Sequence, residues 1–338
     1  MKTVIIGCGR MGQRHITAAR KLNLKIVGVF DKSKKAKLET KEKFNMKDNF
    51  FFSNIEIMMK QTKPSLAIIA TTADTHLKFT LLSIKFGAKF ILLEKPVATS
   101  IIDCETIDKA AKKNNVSISV NHQMRFQKHY KMIKNLLDSK KFGGLKSMNI
   151  LAGNIGLAMN GMHYMEGFNY LTKEKFISVN AWLKKNKELN PRGKKFKDVG
   201  GQILAFTKTG KRFYLEASND QFHGIHVVFI AKNGIITSDE LLNNVFYSVR
   251  KLNYSKYPSY RFGMPSDQKK IRLNLDNMTL ESTTEVLKNL INKKNLVSIM
   301  DATNHIKTLQ AAYISSKNKG LTISLNKKFN KKTKYAWA

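Results

Sequence analysis

The sequence predicts two domains of different class: a doubly wound parallel α/β sheet over residues 1–122, then an α+β domain with a mainly antiparallel sheet over 123–338. Three observations predict this. Strand-patterned and helix-patterned runs alternate from residue 3 to residue 120. A glycine loop, Gly7-Cys8-Gly9-Arg10-Met11-Gly12, joins the first strand to the first helix. Beyond about residue 122, strand runs follow one another across hairpin signals, with no helix between them.

In chain order, residues 3–6 form a short apolar strand, and a helix follows the glycine loop to about residue 22. Residues 25–30 are the second strand, ending at Asp31, and 34–44 are helical. Residues 50–52 are a short third strand, 66–70 the fourth, and 75–86 the next helix. The fifth strand, 90–93, is apolar throughout, as in a strand buried on both faces. A helix over 102–114 and a sixth strand over 116–120 complete this part. The second part opens with a helix at 126–140. Strands 203–206 and 213–217 flank Lys208-Thr209-Gly210-Lys211, and strands 225–230 and 235–238 flank Lys232-Asn233-Gly234. Helices return at 280–293 and 301–317, followed by a basic tail, 326–334, expected to be poorly ordered at its end.

With 42% apolar residues, the 338-residue chain can bury a sizeable core, and it has no apolar run long enough to span a membrane. Met1-Lys2 leads directly into the first strand and leaves no room for a signal peptide. Cys8 and Cys104 offer no disulfide framework. A cytoplasmic protein is therefore expected. The net charge of +36 would attract anions of any kind. Yet 51 of the 60 basic residues are lysine, spread along the whole chain, and only nine are arginine. No helix-turn-helix or aromatic-basic ribbon accompanies them, so no nucleic-acid or membrane partner is expected. A small anionic substrate remains compatible with the charge.

The glycine loop matches the pattern that binds a dinucleotide pyrophosphate. Gly7 permits the tight turn, Gly9 lets the phosphates approach the backbone, and Gly12 lets helix and strand pack closely. The amides of Arg10 and Met11 open the helix whose N-terminus would hold the phosphates. Asp31, 19 residues beyond Gly12, is placed to bind the adenosine ribose. This favours NAD(H); Lys32, Ser33, Lys34 and Lys35 keep NADP(H) as the alternative. Thr71 and Thr72 follow the fourth strand at the same sheet edge, with His76 just beyond, and can hydrogen-bond the cofactor. Glu94-Lys95-Pro96 ends the fifth strand. A lysine there is easily shifted in pKa and reads as a positioned acid/base group.

Taken in order and spacing, the glycine loop, Asp31, Ala70-Thr71-Thr72 with His76, Glu94-Lys95-Pro96-Val97-Ala98 and the 120–126 segment resemble the glucose–fructose oxidoreductase / inositol dehydrogenase / rhizopine catabolism (Gfo/Idh/MocA) family. Asp301, Ala311-Ala312, Ser315-Ser316 and a strand over 321–325 extend the resemblance to the end of the chain. It implies a Rossmann-type nucleotide-binding domain and a C-terminal α+β domain with a large open-faced sheet, through which a homodimer or homotetramer would assemble. It also implies a second catalytic element, a helix start reading Asp-x-Gly-x-His-x-x-Asp. Here the segment is Met159-Asn160-Gly161-Met162-His163-Tyr164-Met165-Glu166. Gly161 and His163 match, Glu166 replaces the final Asp, and Met159 stands in place of the first acid. Asn160 is expected to cap the helix. Glu166, at i+3, is expected to orient the imidazole.

The reaction implied is hydride transfer between a sugar carbon and the nicotinamide. His163 would be the base for the hydroxyl proton, and Lys95 would stabilise developing alkoxide charge. Cofactor contacts would come from Gly7, Gly9, Arg10, Met11, Gly12, Asp31, Thr71, Thr72, His76, Glu94 and Lys95. Substrate contacts would come from Lys95, Arg125, Asn154, Asn160 and His163; Lys128 reads as solvated. The Met159–His163 variant and Tyr260-Arg261-Phe262-Gly263-Met264-Pro265 resemble members acting in bacterial surface-glycan pathways. A non-catalytic cofactor-binding sensor on the same fold is the competing reading, with Met159 as its chief argument. His223 and His226 read as strand-edge histidines rather than metal ligands, since no acid or cysteine clusters with them in sequence.

Overall fold

The computed structural model describes residues 1–337 apart from 186–189, 191, 219, 222, 241, 255–256, 258–262 and 275–276. Tyr260, Arg261 and Phe262, which carried part of the glycan resemblance, lie outside the described residues. The chain divides into two compact units: Met1–Phe126 with Asn277–Ile306 and Asn330–Ala338, and Gln127–Asp276 with Lys307–Phe329.

The first unit is built on six parallel strands: β1 (Lys2–Ile6), β2 (Lys25–Phe30), β3 (Phe51–Phe52), β4 (Leu66–Ile69), β5 (Phe90–Leu93) and β6 (Ser117–Val120). Their order is β3-β2-β1-β4-β5-β6, the order of a dinucleotide-binding doubly wound sheet. Val4, Ile5 and Ile6 of β1, all of β4, and Ile91 to Leu93 of β5 are fully buried. Covering both faces are α1 (Arg10–Lys21), α2 (Lys34–Phe44), α3 (Ile55–Thr62), α4 (Ala73–Lys85) and α5 (Ile101–Lys113). Helix α3 adds to the helices expected from the sequence. Its start is signalled by Asn54, whose Oδ1 accepts the Glu56 and Ile57 amides at 2.8 and 3.1 Å. Its buried Ile55, Met58 and Met59 recur at helical spacing, while the exposed Ile57 blurs that period in the sequence.

The packing differs from the expected boundary at 122. Helix α8 (Met278–Ile291) puts Val286, Leu287 and Leu290 into the same core as Ile5, Ile16, Val29, Ile68 and Leu92. An apolar helical stripe reads alike in sequence whichever sheet it covers, so this return to the first sheet was not visible. The tail also departs from expectation. The Ile102 amide donates to the Lys331 carbonyl at 2.9 Å, and the Tyr335 amide to that of Thr99 at 3.0 Å. Lys331 pairs with Glu105 at 2.8 Å. Tyr335 stacks on Trp337 at 4.6 Å, and Trp337 is buried.

The second unit holds a nine-stranded sheet made of β7 (Leu145–Ala152), β8 (Phe176–Lys185), β9 (Val199–Thr207), β10 (Arg212–Ala217), β11 (His226–Ala231), β12 (Gly234–Asp239), β13 (Asn244–Arg250), β14 (Ser266–Arg272) and β15 (Ile323–Ser324). Its order is β14-β13-β12-β11-β7-β10-β9-β8-β15; β7 and β10 run parallel and the other recorded pairs antiparallel. Period-2 alternation gives the sheet two unlike faces. Ala181, Ile203, Leu215, Ile150 and Val227 line one fully buried face. The opposite face is open and carries Trp182, Leu151, Ile235 and Phe246, between 37% and 51% exposed. Helices α6 (Lys128–Asp138) and α7 (Met162–Thr172) belong to this unit, as does the later part of α9 (Ile299–Lys317). Among the described residues, no helix is long and apolar enough to cross a membrane.

Candidate active site

At the carboxyl end of the parallel sheet, each strand continues by one backbone bond to its neighbour, which aligns the loops that follow. The Gly7 amide donates to the Phe30 carbonyl (2.7 Å), Ala70 to Ile6 (2.8 Å), Glu94 to Ile69 (3.0 Å) and Asn121 to Leu93 (2.8 Å). The glycine loop therefore lies between the loops that carry Asp31 and Thr71, with the Lys95 loop next along the same sheet edge. β1 and β4 are neighbours where the strand order reverses, the crevice in which doubly wound sheets bind ligands.

The three loop glycines answer to distinct needs. Gly7 has φ +93°, and a Cβ there would lie 2.7 Å from the Ala70 oxygen. A Cβ on Gly12 would overlap the Gly7 carbonyl, so this glycine sets how closely α1 approaches β1. Gly9 meets nothing within 4 Å and is exposed. No side chain caps α1, and its first turn holds no acid. The space above Gly9 and the amide end of α1 thus fit a pyrophosphate.

Asp31 ties the first two loops together. Its Oδ2 accepts the Cys8 amide and its Oδ1 the Ser33 amide, each at 2.8 Å. A carboxylate has lone pairs beyond these two bonds, so Asp31 retains capacity for ribose hydroxyls. Arg10 is exposed and Met11 half-buried. Thr40 Oγ1 donates to the Cys8 carbonyl at 3.0 Å, and burial pushes the Cys8 thiol up to about 11, consistent with a packing role.

Lys95 is half-buried, and its neighbours in sequence are fixed beneath it. Glu94 is buried; its Oε1 accepts from His15 Nε2 and Asn121 Nδ2, both at 2.7 Å. Burial opposes its ionisation, but the hydrogen bond and charge of His15, then Asn121 and Lys95, prevail and hold its carboxyl at about 2. Glu94 therefore anchors the loop from inside rather than facing the crevice, where the sequence reading put it. His15 and Asn121 were missed. A histidine on the apolar face of α1 was the available signal for the first. His76 is likewise fully buried, with Nδ1 2.9 Å from the Pro96 carbonyl and Nε2 3.1 Å from that of Thr71. Burial lowers its pKa, and the ring packs between the loop after β4 and the Lys95-Pro96 loop, whose peptide is cis; a neutral ring, with one N–H, donates to one of the two carbonyls. Thr71 and Thr72 are half-buried; Thr75 Oγ1 donates to the Thr71 hydroxyl at 2.8 Å. Arg125 is half-buried in a short helical turn, Met124–Phe126.

In the second unit, His163 is half-buried in the first turn of α7, which continues from a π-helical turn, Leu157–Gly161. Asn160 does not cap this helix, contrary to expectation: it lies inside the π turn, and its Nδ2 donates to the Ile155 carbonyl at 2.7 Å. Glu166 is fully buried one turn beyond His163. Asn154 is exposed in the bend after β7, and Lys128 is exposed at the start of α6. Beside His163 in sequence, Tyr164 donates to Glu240 at 2.6 Å, and Tyr130 to the same carboxyl at 3.2 Å. Burial raises the pKa of all three groups, giving a neutral-leaning cluster that fixes α7 against the sheet. His223 and His226 stand 6.0 Å apart, ring to ring, and among the described residues no group of three or more His, Cys, Asp or Glu is placed to hold a metal.

Residues 1–122 match the model of an oxidoreductase family, NAD-binding Rossmann fold (Gfo/Idh/MocA). A curated relative, oxidoreductase P35 of Formosa agariphila, is 28% identical over 148 residues, covering 43% of this chain and 45% of its own. The chain spans less than half the length of the curated relatives it matches. Among solved structures, UDP-N-acetylglucosamine 3-dehydrogenase GnnA of Acidithiobacillus ferrooxidans aligns at TM-score 0.73 and 14% identity, over 94% of this chain and 98% of its own. A super-repressor mutant of Gal80p from Saccharomyces cerevisiae aligns at TM-score 0.75 and 13% identity, over 96% and 97%. At such identities the likeness is one of fold.

Proposed function

We propose that the protein is an NAD(P)-dependent oxidoreductase, as the match of residues 1–122 to the model of an oxidoreductase family, NAD-binding Rossmann fold (Gfo/Idh/MocA), supports. Its substrate would be a sugar, sugar acid or nucleotide sugar, with Lys95 and His163 as the acid/base pair. The observation that carries the reading is the carboxyl-end constellation of the first sheet. An open Gly9, an uncapped α1 and Asp31 share the carboxyl end of one sheet with Lys95, which follows a buried, ionised Glu94.

The amides of the glycine loop would hold the cofactor's phosphates, and Asp31 its adenosine ribose, which favours NAD(H) over NADP(H). The nicotinamide, when bound, supplies the hydride acceptor or donor. Thr71 and Thr72 would bond the second ribose. Lys95 would donate to the substrate oxygen and stabilise its charge as the proton leaves. His163 would take that proton in the oxidative direction and return it in the reductive one. Arg125, Asn154 and Asn160 would bind the rest of the substrate. The charge of +36 and the likeness to a UDP-sugar dehydrogenase favour an anionic substrate, such as a nucleotide sugar of the kind used in bacterial surface-glycan biosynthesis. The open face of the second sheet would join subunits into a homodimer or homotetramer.

Absorbance of NADH at a panel of nucleotide sugars and sugar acids, with NAD+ and NADP+, tests this. Lys95→Ala and His163→Ala should each lower kcat by 10²-fold or more, on the order of an acid/base contribution, while NADH still binds. Wild-type turnover by both variants would remove the mechanism. Met159 in the acid's place, with the likeness to Gal80p, favours a second reading as a non-catalytic NAD(P)-binding regulator. NADH binding without turnover of any panel member would select it.

A further inference from the structure

We infer that Asp198 is a positioning residue for His163, supplying from a distant stretch of chain the acid that Met159 lacks; this rests on the role proposed for His163 above. The run from Leu157 through α7 is one continuous helical path, and its first amides have no carbonyl within the helix to bond. Asp198, only 8% exposed, fills that need. Its Oδ1 accepts the Ala158 amide at 2.9 Å and the Val199 amide at 3.0 Å, and its Oδ2 accepts the Met159 amide at 2.7 Å. The seat is shaped for it. Gly156 has φ +70°, and a Cβ there would overlap Oδ2 and lie 2.9 Å from the carboxyl carbon.

An ionised acid at the amide end of a helix is favoured by the aligned peptide dipoles and by charge-assisted hydrogen bonds. In the family motif the corresponding acid would be the side chain at 159. Here a carboxylate reaches residue 159 through that residue's own amide, while the Met159 thioether lies 3.5 Å from the Asn190 amide. Met159 and His163 are four residues apart, one helical turn. Fixing the start of the turn therefore fixes the rotation and height at which the imidazole emerges. Asn160 braces the same turn through Ile155 and carries no charge.

The test uses the full-length protein. Asp198→Asn keeps the volume but loses the charge and turns a donor toward one amide. Hydrogen exchange over residues 157–163 should accelerate while the affinity for NADH stays unchanged. On the panel sugar that turns over, kcat should fall on the order of 10²-fold, as for a slightly displaced catalytic group. Gly156→Ala, which displaces the carboxylate, should reproduce both effects, and formate should restore part of the activity of Asp198→Ala. In a His163→Ala background, Asp198→Asn should cost nothing further. Unchanged exchange at 157–163, or an equal loss in the His163→Ala background, overturns the inference. Full activity of His163→Ala alone overturns the base assignment instead, and the exchange data then still decide whether Asp198 holds the turn.

Discussion

Glu94 shows how one residue's burial serves its neighbour. The sequence places Glu94-Lys95-Pro96 at a strand end, and the crevice-side reading of Lys95 follows from that position. What the sequence did not disclose is that His15 and Asn121, from α1 and the end of β6, converge on Glu94, since only the folded sheet brings residues 15, 94 and 121 together. The consequence is a pH dependence. An unfolded Glu ionises near 4.5, whereas Glu94 in the folded chain does so at about 2. The stabilisation from this difference is complete above 4.5 and is lost as pH falls through 2. Glu94→Gln should therefore destabilise by about 3 kcal/mol at neutral pH, the free energy that corresponds to a shift from 4.5 to about 2. The gap from wild type should narrow between pH 4.5 and 3. Urea unfolding across that range measures it, and a pH-independent gap would show that Glu94 is not the ionised anchor.

Elements were legible where period and punctuation agreed. The six strands of the first sheet, the glycine loop and both hairpins at 208–211 and 232–234 fell where alternation and turn residues put them. Legibility failed where an element's partner lies far along the chain. The apolar stripe of α8 gives no hint that it covers the first sheet, and a lysine-rich tail reads as solvated even when its last aromatic residue is buried. Asp198 is the same failure within the site: it follows a lysine-rich stretch and reaches its helix only through the fold. The tail supports a direct test. Trp337 is 1% exposed and stacked on Tyr335, whose amide bonds the Thr99 carbonyl at the start of α5. Trp337→Ala should cost about 3–5 kcal/mol, as for other buried Trp truncations. A melting temperature equal to wild type would mean that the tail only decorates the unit.

At the scale of the whole molecule, the open face of the nine-stranded sheet decides what the protein can do alone. Cross-strand register places Trp182, Gln202, Glu216, Leu151, His226 and Asp239 in one row across five strand pairings. Apolar Leu151 sits among polar neighbours, and Phe246 and Ile235 extend the apolar surface along β12 and β13. Exposed aromatic and aliphatic side chains that share one face with polar neighbours suit an interface between copies. With a net charge of +36, two copies would repel at long range, so such an interface needs the apolar contacts, and added salt should strengthen it by screening. Light scattering at physiological salt should accordingly give a dimer or tetramer. Leu151→Glu with Phe246→Glu should shift it to monomer, with the far-UV circular dichroism and NADH affinity kept, because NADH contacts are proposed only in the first unit. A wild-type monomer at all salt concentrations, or an oligomer indifferent to both substitutions, would assign the open face some other partner.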